Sequence, residues 1–344
     1  MERCLIVGHR FFMGWRMLVN FRFYLSPTLV RLGFAACLLS LYVGVGMGFA
    51  GAAPMRVCEF SDALSPAQKN MWAAKIACEE HALWHQPYIN GQGHLIHIGS
   101  MEAENDPLTD GTAAWRRVER YWRQGAGIEG LYRITDLPDA STVMTDNAII
   151  RSRIVDTPWS GAFMAYVMRQ AGMTKTEFAF EDGHIRYIKP AFATLASGYA
   201  YHTESPLNTR IELGDVLCYV RDSQRVYGVK GFFTWLSAHA HDAVSLKMHC
   251  DVVVGVKGEK AYAIGGNVAQ AVTMRQLTLT SRGFLSKQHL LPVSEPMPSP
   301  EGRGSMLNPD PEAQCSPSNE RGCDMNRKDW VVLLKYKKPE AIQP

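Results

Sequence analysis

Apolar positions recur at helical spacing in three stretches of the first half of the chain. In "SPAQKNMWAAKIACEEHALW" (Ser65 to Trp84), Ser65 is a cap and Pro66 suits the first helical position. "TAAWRRVERYWRQ" (Thr112 to Gln124) sets Trp115, Val118 and Trp122 on one face and arginines on the other. "DTPWSGAFMAYVMRQAGM" (Asp156 to Met173) reads as a third helix. Thr157 is its cap and Pro158 its first residue, which puts Trp159 second and Ser160 third. Phe163, Val167 and Met168 continue its apolar stripe, and Ala171-Gly172 ends it.

The second half changes to strand character. The segments are Asp215 to Val220, His249 to Val256, Lys260 to Gly266 and "AVTMRQLTL" after it; Lys257-Gly258-Glu259 turns the middle pair into a hairpin. Pro292 to Asn326 is rich in Pro, Ser, Gly and charge, a long loop. Asp329 to Lys337 returns to strand character and is expected to pair into the main sheet. Helices first and strands after, without internal repeats, predict an α+β domain of helices packed on a small antiparallel sheet. The expected organisation is a leader over 1–52, a helical extension over 53–105, the α+β domain over 106–337 with its loop at 292–326, and a tail over 338–344.

The chain has 344 residues, 47% of them hydrophobic, enough for a sizeable core. Of the formal charge of +3, residues 1–53 contribute +4, leaving the body at −1. No basic stripe remains for a nucleic-acid partner, and none is expected. The leader has an arginine-dotted start, an apolar run from Leu32 to Phe49, and Ala50-Gly51-Ala52. It reads as a signal peptide cleaved near Ala52, the run being rich in Gly and ending in small residues. At ~18 residues the run also has the length of an uncleaved anchor, the one membrane contact expected. Either way the body is exported, periplasmic or anchored facing the periplasm. Cys58, Cys78, Cys218, Cys250, Cys315 and Cys323 remain after the leader, an even number that suits disulfides in an oxidising compartment. Cys58 with Cys78 and Cys315 with Cys323 are the local pairings, with buried free thiols as the alternative.

Ser160 is the first candidate for chemistry. Backbone N–H groups at a helix N-terminus suit a developing oxyanion. The dipole contributes only ~0.3–1 kcal/mol, up to ~2 when buried, whereas ionising an alcohol at pH 7 costs about 12 kcal/mol. Ser160 therefore needs a base within hydrogen-bond reach. His249, opening a strand that runs on as Val252-Val253-Val254, is the candidate base. Asn267, at the end of the next strand, is the candidate orienting group, which would complete a triad by roles. The bland alternative is that His249 merely marks a strand start. Cys250 is the competing nucleophile, but strand alternation turns it away from any cleft that His249 faces, and Cys218 on the adjacent strand is one possible disulfide partner. His81, His85, His94 and His97 invite a metal reading, yet lack the Glu of H-E-x-x-H and straddle a helix and a Gly-rich turn; packed or surface histidines are expected. No metal and no cofactor is expected.

Four segments, "PWSGAFMAYVMRQAG", "GDVLCYVRD", "HCDVVVGV" and "AIGGNVAQAVTMR", together resemble the bacterial domain of unknown function 2272 family. The similarity covers about Asp106 to Lys337. That family in turn resembles the NlpC and CHAP-type peptidases and amidases of papain-like α+β fold, which cleave peptide or amide bonds, most often in peptidoglycan. The resemblance implies Ser160 at the nucleophile position, where relatives carry Cys in "WC-x-AF", with His249 as base and Asn267 orienting it. It places His184, in "EDGHIRYI", with Trp159 and Gly266 on the substrate-binding side, His184 either lining the cleft or capping a helix. Asp215 is expected to be structural. The implied partner is peptidoglycan or an envelope peptide. The alternative is an inactive papain-like domain that binds wall fragments or an envelope protein, since a hydroxyl stands where relatives use a thiolate.

Overall fold

A computed structural model describes residues 57–61, 63–103, 107–127, 143–193, 198–222, 225–293 and 323–337. The leader expected over 1–52 and the tail over 338–344 lie outside the described residues, as does most of the Pro-rich loop. All described residues belong to one compact unit, Met55–Pro344. Among them are six α-helices: α1 (Lys69–Leu83), α2 (Ala114–Tyr121), α3 (Val143–Asp156), α4 (Ser160–Gln170), α5 (His184–Ala193) and α6 (Gly228–His239). None is long and apolar enough to cross a membrane.

The strands are β1 (Tyr88–Ile89), β2 (Leu95–His97), β3 (Tyr201–Glu204), β4 (Val216–Val220), β5 (Met248–Lys257), β6 (Lys260–Val268), β7 (Ala271–Thr278) and β8 (Asp329–Tyr336). They form one eight-stranded sheet in the order β2-β1-β7-β6-β5-β4-β8-β3. The fold is α+β, but the sheet is larger than expected and mixed: β1 joins β7 in parallel, and every other pair is antiparallel. The C-terminal strand β8 inserts between β4 and β3. The described part of the segment expected over 53–105 joins the same body, since α1 packs on β5, β6 and β7 and the β1–β2 hairpin extends the sheet.

Local chemistry explains the element ends. Ser65 and Gln68 make a turn ahead of α1, with Ser65 N–H donating to Gln68 Oε1 (2.8 Å), so the helix starts at Lys69 rather than at Pro66. The third expected helix starts at Ser160, with Trp159 as its N-cap residue, so Ser160 is its first residue and not its third. At its other end Gly172 adopts φ +80°, and Met173 N–H and Gly172 N–H return to Met168 O (3.2 Å) and Arg169 O (3.0 Å). This pair of bonds is a Schellman closure, which needs the left-handed conformation glycine adopts without strain. α6 is capped from across the fold: Asp329 at the start of β8 accepts from Tyr227 N–H (2.7 Å) and Gly228 N–H (2.9 Å).

Strand alternation divides the core. Cys218, Cys250, Val252, Val254 and Ile264 share a cluster with α1 and α4, whereas Leu217, Tyr219, Val253, Leu277, Trp330 and Leu333 pack on the opposite face. Cys218 stands directly across from Cys250 in the β4–β5 register, and the two form a disulfide; Cys58 and Cys78 form another. Cys323 is also disulfide-bonded, and its expected partner Cys315 lies outside the described residues. Such bonds suit an oxidising, exported setting.

Candidate active site

The site is built where β5 and β6 part. Their pairing runs from Lys257↔Lys260 to Val252↔Ile264, and the register shifts of the β6–β7 pair fall between Gly265 and Val268. Asn267, in this bulge, has φ +57°, a conformation that Asn tolerates better than most residues. Two glycines make the close approach possible. A Cβ on Gly265 would stand within 3.0 Å of Asp251 Oδ1 and 2.7 Å from His249 Nε2. A Cβ on Gly266 would stand 2.5 Å from the Phe163 ring and 2.7 Å from that of Trp159.

The α4 N-terminus arrives here from the helical layer. Trp159 is fully buried, stacked on Trp84 (centroids 5.5 Å) and Tyr121 (5.6 Å), with its indole N–H donating to buried Glu102. Behind this aromatic wall the Arg117 guanidinium forks onto Glu80, which also accepts from Tyr121 Oη (2.6 Å). A desolvated ion pair with these extra hydrogen bonds holds α1 against α2. Trp159 is thus a packing element that fixes residue 160.

Ser160 Oγ lies 2.7 Å from His184 Nε2. His184 is the first residue of α5, and its Nδ1 is hydrogen-bonded to Tyr187 Oη, one turn along that helix. Burial, followed by the neighbouring His249, pushes the His184 imidazole well below its ordinary pKa. A neutral ring with its proton on Nδ1 would donate to Tyr187 and keep its Nε2 lone pair for the serine hydroxyl; the opposite tautomer would reverse both bonds. The approach depends on Gly161, whose Cβ would stand within 3.0 Å of the Asp182 carbonyl carbon, oxygen and Cα. The bare backbone at 161 lets the loop before α5 lie against α4 and deliver His184.

His249 stands behind this pair. Its ring centroid is 5.4 Å from that of His184, and its Nε2 is 2.9 Å from Asp251 Oδ1. Asp251 is fully buried and ion-paired with Arg275 of β7, Nε to Oδ2 2.8 Å. Burial raises the Asp251 pKa, but Arg275 and His249 outweigh that and hold it below the usual carboxylate value. Burial lowers the His249 pKa, a shift Asp251 opposes and Arg275 reinforces. Among the described residues, then, the hydrogen-bond partner of Ser160 Oγ is His184 and that of His249 is Asp251; Asn267 is not hydrogen-bonded to His249. Of the residues singled out in the sequence, Ser160 and His184 are brought into contact. Trp159 directly precedes Ser160, Gly266 lies against Trp159 and Phe163, and the His249 ring stands beside that of His184. Asp251, Arg275 and Tyr187 are the residues sequence reasoning missed. Two of these had a signal: His249 and Asp251 share a strand face at i and i+2, and His184 and Tyr187 share a helix face at i and i+3.

Three of the four histidines of the metal alternative are engaged with backbone carbonyls: His81 with Pro87 O (2.9 Å), His85 with Pro107 O (3.0 Å) and His97 with Gln86 O (2.7 Å). Burial lowers the His81 pKa to about 4. Among the described residues no three His, Cys, Asp or Glu side chains are grouped to hold a metal ion. Asp215 is structural in its contacts: it accepts from Glu212 N–H (2.7 Å) and pairs with Lys335 (2.9 Å), tying the start of β4 to β8.

A serine–histidine pair at a helix N-terminus, backed by a buried histidine–aspartate–arginine chain, defines a site with the parts for nucleophilic chemistry. The family model described as "Uncharacterized protein conserved in bacteria (DUF2272)" matches residues 109–336, and the chain belongs to that family. No curated protein and no solved structure matches it.

Proposed function

We propose that the chain is an exported hydrolase of papain-like, NlpC/CHAP-type architecture that cleaves peptide or amide bonds in the cell envelope, with peptidoglycan as its substrate class. The observation that carries this reading is the 2.7 Å approach of Ser160 Oγ to His184 Nε2 at the mouth of α4. Ser160 attacks the carbonyl carbon, and its proton passes to His184, which returns it to the leaving amine; water then releases the acyl group. The first-turn N–H groups of α4 are the donors this reading assigns to the oxyanion. The base role falls to His184 in this reading, and His249 supports it from behind. The resemblance of "WSGAF" to "WC-x-AF" and the packing of α4 on β5 and β6 support the papain-like assignment.

The second reading, a papain-like domain that binds without cleaving, is favoured by burial: Ser160 and His184 are each 4% exposed and His249 1%. A groove of about 530 Å³ along the outer side of α5, walled by Ile185, Lys189 and Val244, offers such a domain a binding surface. Digestion of purified peptidoglycan by wild type, Ser160→Ala and Ser160→Cys separates the two. The hydrolase reading expects soluble fragments from wild type and none from Ser160→Ala. Binding to peptidoglycan without fragments from wild type, unchanged in Ser160→Ala, overturns it in favour of the second.

A further inference from the structure

Two buried imidazoles whose centroids are 5.4 Å apart cannot both take a proton cheaply, because the two like charges would repel in a desolvated space. Their surroundings differ. His249 Nε2 is 2.9 Å from the Asp251 carboxylate, a direct acceptor for its N–H. His184 has neutral partners on both nitrogens, the Ser160 hydroxyl and the Tyr187 phenol. The charged and titratable groups facing the two rings are Asp251 and His249 on β5, Arg275 on β7, Tyr187 on α5, Tyr219 on β4 (ring centroid 5.1 Å from that of His249), and Arg221 just beyond β4.

We propose that Asp251 is a positioning residue for Ser160: through His249 it draws the first proton taken by the two-histidine centre onto the His249 ring, leaving His184 neutral to accept from the Ser160 hydroxyl. Arg275 sets the strength of this pull. Its guanidinium, 2.8 Å from the other carboxylate oxygen, withdraws part of the charge that His249 meets. Asp251 and Arg275 therefore act in opposite directions on His249. A proton on His249 also repels a second from His184, so the serine keeps its acceptor to lower pH than a lone buried pair would. This deepens the catalytic reading above, but its readout does not need turnover, so each stands or falls separately.

The test is imidazole ¹⁵N–¹H NMR on the full chain across pH 4–8, for wild type, Asp251→Asn and Arg275→Gln. In wild type, His249 titrates first, and through that step His184 keeps the tautomer with a proton on Nδ1. In Asp251→Asn the His249 step falls by roughly one to two pH units, and in Arg275→Gln it rises. A loss of packing alone moves both variants the same way. First protonation of His184, or shifts of equal sign in the two variants, overturns the proposal. Should Asp251→Asn fail to fold, Arg275→Gln decides alone, and an unmoved or lowered His249 step overturns it.

Discussion

Replacing Gly161 by Ala adds one methyl group where the loop before α5 crosses α4. That Cβ would stand within 3.0 Å of three backbone atoms of Asp182, and backbone cannot turn aside as a flexible side chain would. The loop has to retreat by roughly 1 Å, at an overpacking cost of about 1–3 kcal/mol. His184 is two residues further on, so the same retreat stretches the 2.7 Å contact to Ser160 and leaves a buried hydroxyl and ring nitrogen short of a partner, another ~1–3 kcal/mol. Against this, Ala gains ~0.5–1 kcal/mol over Gly inside a helix. The expected net loss is about 1–5 kcal/mol. Urea unfolding measures it, as a lower midpoint at unchanged slope. Gly198, with no atom near its missing Cβ and no positive φ, is the control; Gly198→Ala is expected to be neutral or stabilising by up to ~1 kcal/mol. Gly161→Ala within about 0.5 kcal/mol of wild type, with the His184 resonances unmoved, would refute the reasoning.

Further outcomes follow from other parts of the molecule. Burial raises the Asp329 pKa from 3.8 to about 6, the N–H groups of Tyr227 and Gly228 only partly opposing it. The folded chain therefore takes up this proton at higher pH than the unfolded chain. The burial penalty is full above pH 6 and is relieved as pH falls from about 6 towards 4. The unfolding free energy of wild type minus that of Asp329→Asn should accordingly grow by up to about 3 kcal/mol between pH 7 and 4; a flat difference contradicts this. The Cys58–Cys78 bond closes a separation of 20 residues, so a Cys58→Ser/Cys78→Ser variant should lose about 3 kcal/mol in denaturant unfolding, and a loss below ~1 would show that the link constrains little.

Strands β4 to β8 were legible in the chain because each is a compact apolar run, and β8 had to pair somewhere. The C-terminus of α4 was legible because Ala171-Gly172 carries its own closure. The start of α4 was misplaced by two residues: Thr157 and Pro158 look like a cap and first turn, but burial of the Trp159 ring between Trp84 and Tyr121 sets the chain direction there. α3 and α6 went unanticipated, and α5 entered only through the alternative that His184 caps a helix. α5 contains Pro190, and the Asp329 cap of α6 lies 101 residues away in sequence from Gly228. The site was half legible. Ser160 and His249 stand in recognisable motifs, and the expectation that Cys250 faces away from His249, with Cys218 as a possible partner, matches the observed disulfide. The contact of Ser160 with His184 depends on a loop crossing a glycine, and the pairing of Asp251 with Arg275 depends on sheet register. Neither leaves a local pattern to read.

The central claim is that Ser160 is a nucleophile made reactive by His184. Covalent labelling by a serine-directed fluorophosphonate, followed by intact mass and peptide mapping, tests it most directly. Wild type is expected to gain one adduct on Ser160, Ser160→Ala none, and His184→Ala an adduct at a rate at least 100-fold lower, on the order of what a general base contributes. A wild type that labels no more than Ser160→Ala, or a Ser160 adduct that forms equally fast in His184→Ala, would contradict the claim.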